Sequence, residues 1–432
     1  MTRYRTASSR HAGVTLVELM VAMVLGLLVA GGIVTVFLST SSSNRVQNQM
    51  ARLQEEGRYA ITRLSGDLRM ANAQYCTSTG GVTSNAGEVY LSPLRAPTVQ
   101  ASGLIDALSD VTTPWGSGSY PPKPATAYDL PSFLSMRGYD CDKNKSCKPV
   151  NPPMLPAIGT TVGSRVVGSS VLTLRYMDSS SGWALGGSSK VTGRADGTVD
   201  FISIVPGPGE PKIAEYYKQG DLMMLADCSN AQIFAVSLDG NAFSPSGRNE
   251  NLAAPIAQQP LSAPKLFNFS RDYNTVTYYL KVVDGGNGQT TGALMRRLNG
   301  GNDSEVVRGV ERLDFLYGVE DASGSTRYLT ANEVDTGAIP CPPSTPRKLG
   351  SDYGCLWRAV KNIEVHVLMA GQQPVRSLTA SETHYVYSID GDKAPASPTA
   401  STRGVQPKDQ GFDNLMLRRE FSVLVSVRNY NP

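Results

Sequence analysis

The sequence predicts an α+β fold in which one long N-terminal α-helix, a membrane span plus an amphipathic half, packs on a large antiparallel β domain. Three observations predict it. Val14 to Leu38 is an apolar run of 25 residues interrupted by a single charge, Glu18. Apolar residues then recur at helical spacing up to Ala71, and the first proline of the chain is Pro93. From Val171 onward, period-two segments alternate with clusters of Gly, Pro, Ser and Asp.

Composition sets the broad class. With 432 residues, 41% of them hydrophobic, the chain can bury a sizeable core and is too apolar for a disordered protein. Its charged fraction of 18% lies below the roughly 25% usual for soluble domains, and 42 Gly and 27 Pro suit an exported, loop-rich β protein. A formal net charge of +3 argues against nucleic acid as a partner, because phosphate recognition needs a concentrated basic face. The excess sits in residues 1–13, which hold Arg3, Arg5 and Arg10 and no acid. The rest of the chain is formally neutral in its side chains.

The first element is the apolar run. It exceeds the roughly 20 residues needed to cross a bilayer as a helix, and the arginines before it, with none after it until Arg45, predict a cytoplasmic N-terminus and an exported bulk. A cleaved secretory signal would have an apolar region of about 7–15 residues, whereas this one is longer and carries a carboxylate. A carboxylate in a membrane helix costs roughly 2.5–3.5 kcal/mol, so Glu18 calls for a partner. Its place in the first turns also matches the positive end of the helix dipole. Ala22, Gly26 and Ala30, at four-residue intervals, form a stripe of small residues on which helix backbones can approach closely, with Gly31 and Gly32 beside it.

The second half of the helix follows without a break. Met50, Leu53, Ala60, Ile61, Leu64, Leu68 and Ala71 recur among Arg, Gln, Glu and Asp, which predicts one helix from about Val14 to about Asn72. Its segments are 14–38, the transmembrane or filament-core part, and 39–75, the amphipathic part. No proline imposes a kink; Gly26 to Gly32 is where the helix could loosen. Residues 76–432 form the β-rich region, of which 77–170 are Gly-, Ser-, Thr- and Pro-rich and read as a loop-rich insertion with short strands. Strands are predicted over Val171–Met177, Val199–Val205, Ile233–Leu238, Val276–Val282, Leu313–Val319, Ile363–Met369 and Phe421–Val427.

Gly13-Val14-Thr15-Leu16-Val17-Glu18-Leu19-Met20 resembles the type III leader signature of type IV prepilins and pseudopilins: a short basic leader ending in Gly, then an apolar segment with Glu fifth. The resemblance implies a pilin-like fold, cleavage after Gly13 by a prepilin peptidase, and methylation of the new amine of Val14. Val14 departs from the Phe usual at that place. It also implies that the Glu18 carboxylate meets the amine of a neighbouring Val14 in a helix bundle. Four further blocks resemble PilW-type minor pilins. They are Gln54 to Ala60 with Leu64 and Asp67-Leu68-Arg69; Gly220-Asp221-Leu222 through Asp227-Cys228 to Phe234; Arg308 to Leu313 with Tyr317-Gly318-Val319; and the end Val427-Arg428-Asn429. The resemblance implies a minor pilin for initiation, assembly and tip composition of type IV pili, acting through helix packing. Implied partners are other minor and major pilins, the prepilin peptidase, the inner-membrane assembly platform, and membrane lipid before assembly; the composition of the 77–170 insertion adds the expectation of a surface for a tip adhesin. The implied location is the inner membrane, then the pilus. Two alternatives stay open: a J-type pseudopilin of type II secretion, and a non-polymerising single-pass periplasmic binding protein.

Six cysteines, Cys76, Cys141, Cys147, Cys228, Cys341 and Cys355, lie in the part expected to be exported, where disulfides are the default. Local loop closure favours Cys141–Cys147 and Cys341–Cys355, which leaves Cys76–Cys228. No cofactor or metal is called for: there is no CxxC, HExxH, GxSxG or GxxxxGK[ST]. The candidates for general-base chemistry are His366 and His384, both in strand-like patterns, and the pair Glu311 and Asp314 reads as solvated surface. Asp140-Cys141-Asp142-Lys143-Asn144-Lys145-Ser146 has oxygen ligands at alternating places like a calcium loop, but Lys145 stands where such a loop has Gly and Asn151 where it has Glu. A polar hairpin closed by a disulfide is the simpler expectation.

Overall fold

The computed structural model describes residues 13–73, 75, 83–85, 88–90, 97–108, 122–227, 231–245, 250–257, 264–286, 288–321, 323–341, 354–372, 374 and 379–428. The chain divides into two compact units at Arg52/Leu53. A single α-helix, Leu16–Met70, begins in the first unit and continues into the second. It ends within two residues of the sequence expectation at either side. Asn72, with φ of 60°, adopts the left-handed conformation that Asn tolerates better than most residues, and there the helical geometry stops.

Within the second unit the helix buries Leu53, Gly57, Ala60, Leu64, Ser65, Asp67 and Leu68. These positions recur every three or four residues, so one stripe faces the β domain while Glu55, Arg58, Thr62 and Arg69 stay in solvent. Each buried leucine contributes about 1.5–3 kcal/mol, and together they fix the helix to the main core, which also contains Leu174, Ile233, Phe267, Val276, Val310, Val365 and Val425.

Among the described residues the β domain comprises three large sheets of nine, eight and four strands. The eight-stranded sheet is built on Val171–Met177, Tyr273–Gly286 and Gln289–Leu298, with Met136–Cys141 on one flank and Asp303–Arg308 on the other. The nine-stranded sheet centres on the hairpin Leu222–Ala226 and Ala231–Asp239, flanked by Lys265–Asn268 and Ala242–Pro245, with Val199–Ser203 beyond the latter. The four-stranded sheet runs Thr326–Leu329, Val310–Glu320, Val360–Ala370, Arg418–Ser426. All seven sequence-predicted strands are present, Val171–Met177 with the same bounds. Pairing is antiparallel apart from two short parallel contacts, Gln232 and Ile233 with Thr98 and Val99, and Ile158 and Gly159 with Arg165 and Val166.

Three readings of the sequence need correction. His384 lies not in a strand but just after the short 3-10 turn Ala380–Thr383. Glu311 and Asp314 are not a solvated pair: Glu311 is 2% exposed and binds Arg418, whereas Asp314 binds Arg312. The helix does not loosen at Gly26 to Gly32 but runs through them unbroken, because the backbone hydrogen bonds of an α-helix need no Cβ. The span 77–170 supplies core residues as well as loops, since Leu130, Phe133, Leu134 and Met136 are fully buried. Cys76 and Cys228 lie outside the described residues.

Candidate assembly surface and its anchorage

The N-terminal segment is defined by what it exposes. Every residue from Gly13 to Thr40 is exposed, and seventeen of them are large apolar side chains between Val14 and Leu38. At about 1.5–3 kcal/mol for each, leaving them in water would cost on the order of tens of kcal/mol. Such a surface requires lipid or other helices to cover it. Ala22, Gly26 and Ala30 lie within it, and a Cβ placed on Gly26, Gly31 or Gly32 would meet nothing within 4 Å.

Glu18 sits at the start of this segment. Its Oε2 accepts from the Thr15 amide and the Thr15 hydroxyl, both at 3.0 Å, and Thr15 Oγ1 accepts in turn from the Glu18 amide at 3.3 Å. This is the reciprocal capping box of a helix N-terminus, which satisfies amides that have no partner within the helix. Sequence reasoning passed over Thr15, although Thr15-Leu16-Val17-Glu18 carries the T-x-x-E signature.

Two contacts anchor the other half of the helix. Asp67 accepts from Tyr278 Oη at 2.6 Å, Arg296 Nε at 2.6 Å and Tyr176 Oη at 3.4 Å, so one carboxylate ties the helix to three adjacent strands. Gly57 is where the Phe421 ring lies against the helix backbone: an added Cβ would come within 2.4 Å of the ring. The helix block that suggested a family in the sequence is thus a docking face.

Comparison with known families bears on this arrangement directly. Residues 8–34 match the family model described as the prokaryotic N-terminal methylation motif, and residues 277–429 match that of type IV pilus-assembly protein W. The chain is a type IV pilus-associated pilin of the PilW kind. No curated protein and no solved structure matches it. The prepilin motif and the apolar helix fit a single-pass inner-membrane protein.

The matched span of this PilW-type pilin contains the third and fourth sequence blocks whole; Asn429, the last residue of the fourth, lies outside the described residues. Glu311 and Arg418 form a buried bidentate pair at 2.7 and 3.0 Å. Gly309 has φ of +83°, and a Cβ there would lie 2.7 Å from the Ala370 carbonyl. The helix block and the Gly220–Phe234 block lie before the match. In the latter, the Gln232 side chain holds both the amide and the carbonyl of Ile256.

In this PilW-type pilin, His366, Asp140 and Asp142 have hydrogen-bond partners within the fold. His366 Nδ1 is 2.8 Å from Glu420 Oε1 and 2.9 Å from Ser388 Oγ. The Ser388 hydroxyl also donates to the same Glu420 oxygen, 2.5 Å away, so histidine, serine and carboxylate form one hydrogen-bonded cluster. Asp140 and Asp142 have separate backbone partners. The Asp140 carboxylate accepts from the Ala331 amide at 2.7 Å, and burial pushes it up to about 7. Asp142 accepts from the Asn144 and Ser146 amides of its own turn. Cys141–Cys147 closes that hairpin with Cα atoms 4.0 Å apart, and Cys341–Cys355 joins Cα atoms 6.3 Å apart.

Proposed function

We propose that this chain is a minor pilin that takes part in starting and building type IV pili, packing its apolar N-terminal helix against those of other pilins. The observation that carries this reading is the coincidence of a prepilin motif with seventeen uncovered apolar side chains on one helix. On this reading a prepilin peptidase cuts after Gly13 on the cytoplasmic face and the Val14 amine is methylated. Residues 14–38 then wait in the inner membrane, with the β domain in the periplasm. Assembly moves the helix from lipid into a bundle, where the small stripe Ala22, Gly26, Ala30 lets backbones approach and Glu18 meets a neighbouring Val14 amine. The intact mass of the protein recovered from membranes tests the first step. A chain beginning at monomethylated Val14 is expected; a retained leader, or a start near residue 39, would overturn it. Co-purification with other minor pilins after crosslinking tests the second.

A further inference from the structure

We infer that the Cys141–Cys147 disulfide is a thiol–disulfide exchange site whose reduced form Arg165 stabilises, and that its reaction partner is a dithiol. Cys141 and Cys147 are register partners across the hairpin formed by Met136–Cys141 and Cys147–Lys148. Arg165, 6% exposed, places Nη1 3.8 Å from Cys141 Sγ and 3.9 Å from Cys147 Sγ. Its Nε donates to the Pro156 carbonyl at 2.7 Å. No ion pair joins Arg165 to a carboxylate among the described residues. The sulfurs belong to a small apolar cluster with Tyr139, Val171, Tyr279, Ala293 and Met295.

Among the described residues this guanidinium has no counter-charge in contact with it. Burial pulls it below the ordinary arginine range, to about 10, with the Tyr279 phenol opposing. The neighbouring charges are committed elsewhere: Asp303 to Lys281 and Arg297, Asp140 to the Ala331 amide, Asp142 to its own turn. A neutral disulfide offers the cation only a weak acceptor. Opening the bond creates a thiolate within 4 Å of it, and a paired buried charge replaces an unpaired one. The same cation makes the departing sulfur a better leaving group.

The reaction balances as follows. A dithiol attacks one cysteine sulfur as its thiolate, the S–S bond breaks, and the other sulfur leaves as a thiolate beside Arg165. The second thiol of the reductant then resolves the mixed disulfide. The reductant ends as a disulfide, one cysteine as a thiol and the other as a thiolate, with one proton released to solvent. Cys341–Cys355 is an internal control, since among the described residues no guanidinium donates to its sulfurs.

The test titrates the full chain in detergent with dithiothreitol, then quenches with acid, alkylates the thiols and reads each disulfide by peptide mass spectrometry. Cys141–Cys147 is expected to open at roughly tenfold lower reductant in the native protein than in Arg165→Gln. Arg165→Lys should restore most of the difference, and Cys341–Cys355 should open at the same point in all three. Equal midpoints for Cys141–Cys147 in the native protein and Arg165→Gln would overturn the inference. Should Arg165→Gln fail to fold, the alkylation rate of the reduced native protein against pH decides. A thiol titrating below its ordinary value of about 8.5 supports the site, and one at or above it refutes it.

Discussion

His366 sits beside Ser388 with three carboxylates around it: Glu420 at 2.8 Å, Glu364 at 3.2 Å, and Asp314 opposite it on the neighbouring strand. Burial pulls its pKa down, but these carboxylates outweigh burial and the net shift is upward from 6.5. For Glu420, burial raises the pKa, while the histidine and Ser388 outweigh it and bring it below 4.5. The histidine contribution to stability is therefore full below pH 6.5 and is lost as pH rises through its higher folded value. The Glu420 contribution is full above pH 4.5 and is lost as pH falls through its lower one. Urea unfolding of the intact protein should show a midpoint that falls as pH is raised from 6.5, and His366→Gln should remove that part of the slope; an unchanged slope would exclude the pairing. These charges were visible in the sequence, but their partners were not. Asp67 finds Arg296 across 229 positions and Glu311 finds Arg418 across 107, and no local spacing encodes such a pairing.

At the scale of elements, the strands that were legible and those that were not differ in burial. Phe421–Val427 alternates because one face of an edge strand meets solvent, and it stood out. Gln289–Leu298 has four consecutive buried residues, Gly292 to Met295, because both of its faces are covered, and its sequence shows no period of two. The long helix was legible because its stripe of apolar residues persists for five turns, but the role of Gly57 was not, since the ring it admits comes from residue 421. Gly57→Ala should raise helix propensity and yet destabilise the protein by about 1–3 kcal/mol through overpacking against Phe421. Combining it with Phe421→Leu should cost less than the sum of the two single changes, read by thermal unfolding in detergent. Strict additivity would show that the ring and the glycine do not compete for one space.

For the whole molecule, the expected division of labour is between a half-helix that is covered only by its surroundings and a β domain that holds the other half by the Asp67 and Phe421 contacts. Glu18→Ala is expected to leave membrane insertion intact and to reduce incorporation into filaments severely, measured by immunoblot of sheared pili against membranes. Unchanged incorporation would rule out Glu18 as an assembly contact. The capping box adds a consequence for how such a monomer is stored. A carboxylate with no bonds at all would drive the helix towards any available cation, including the wrong one. Thr15 gives Glu18 two hydrogen bonds from within its own chain, so the waiting subunit holds a provisional partner. On the proposed reading, joining a filament is an exchange of partners, and its selectivity would rest on the difference between a neighbour's amine and the threonine next to Val14.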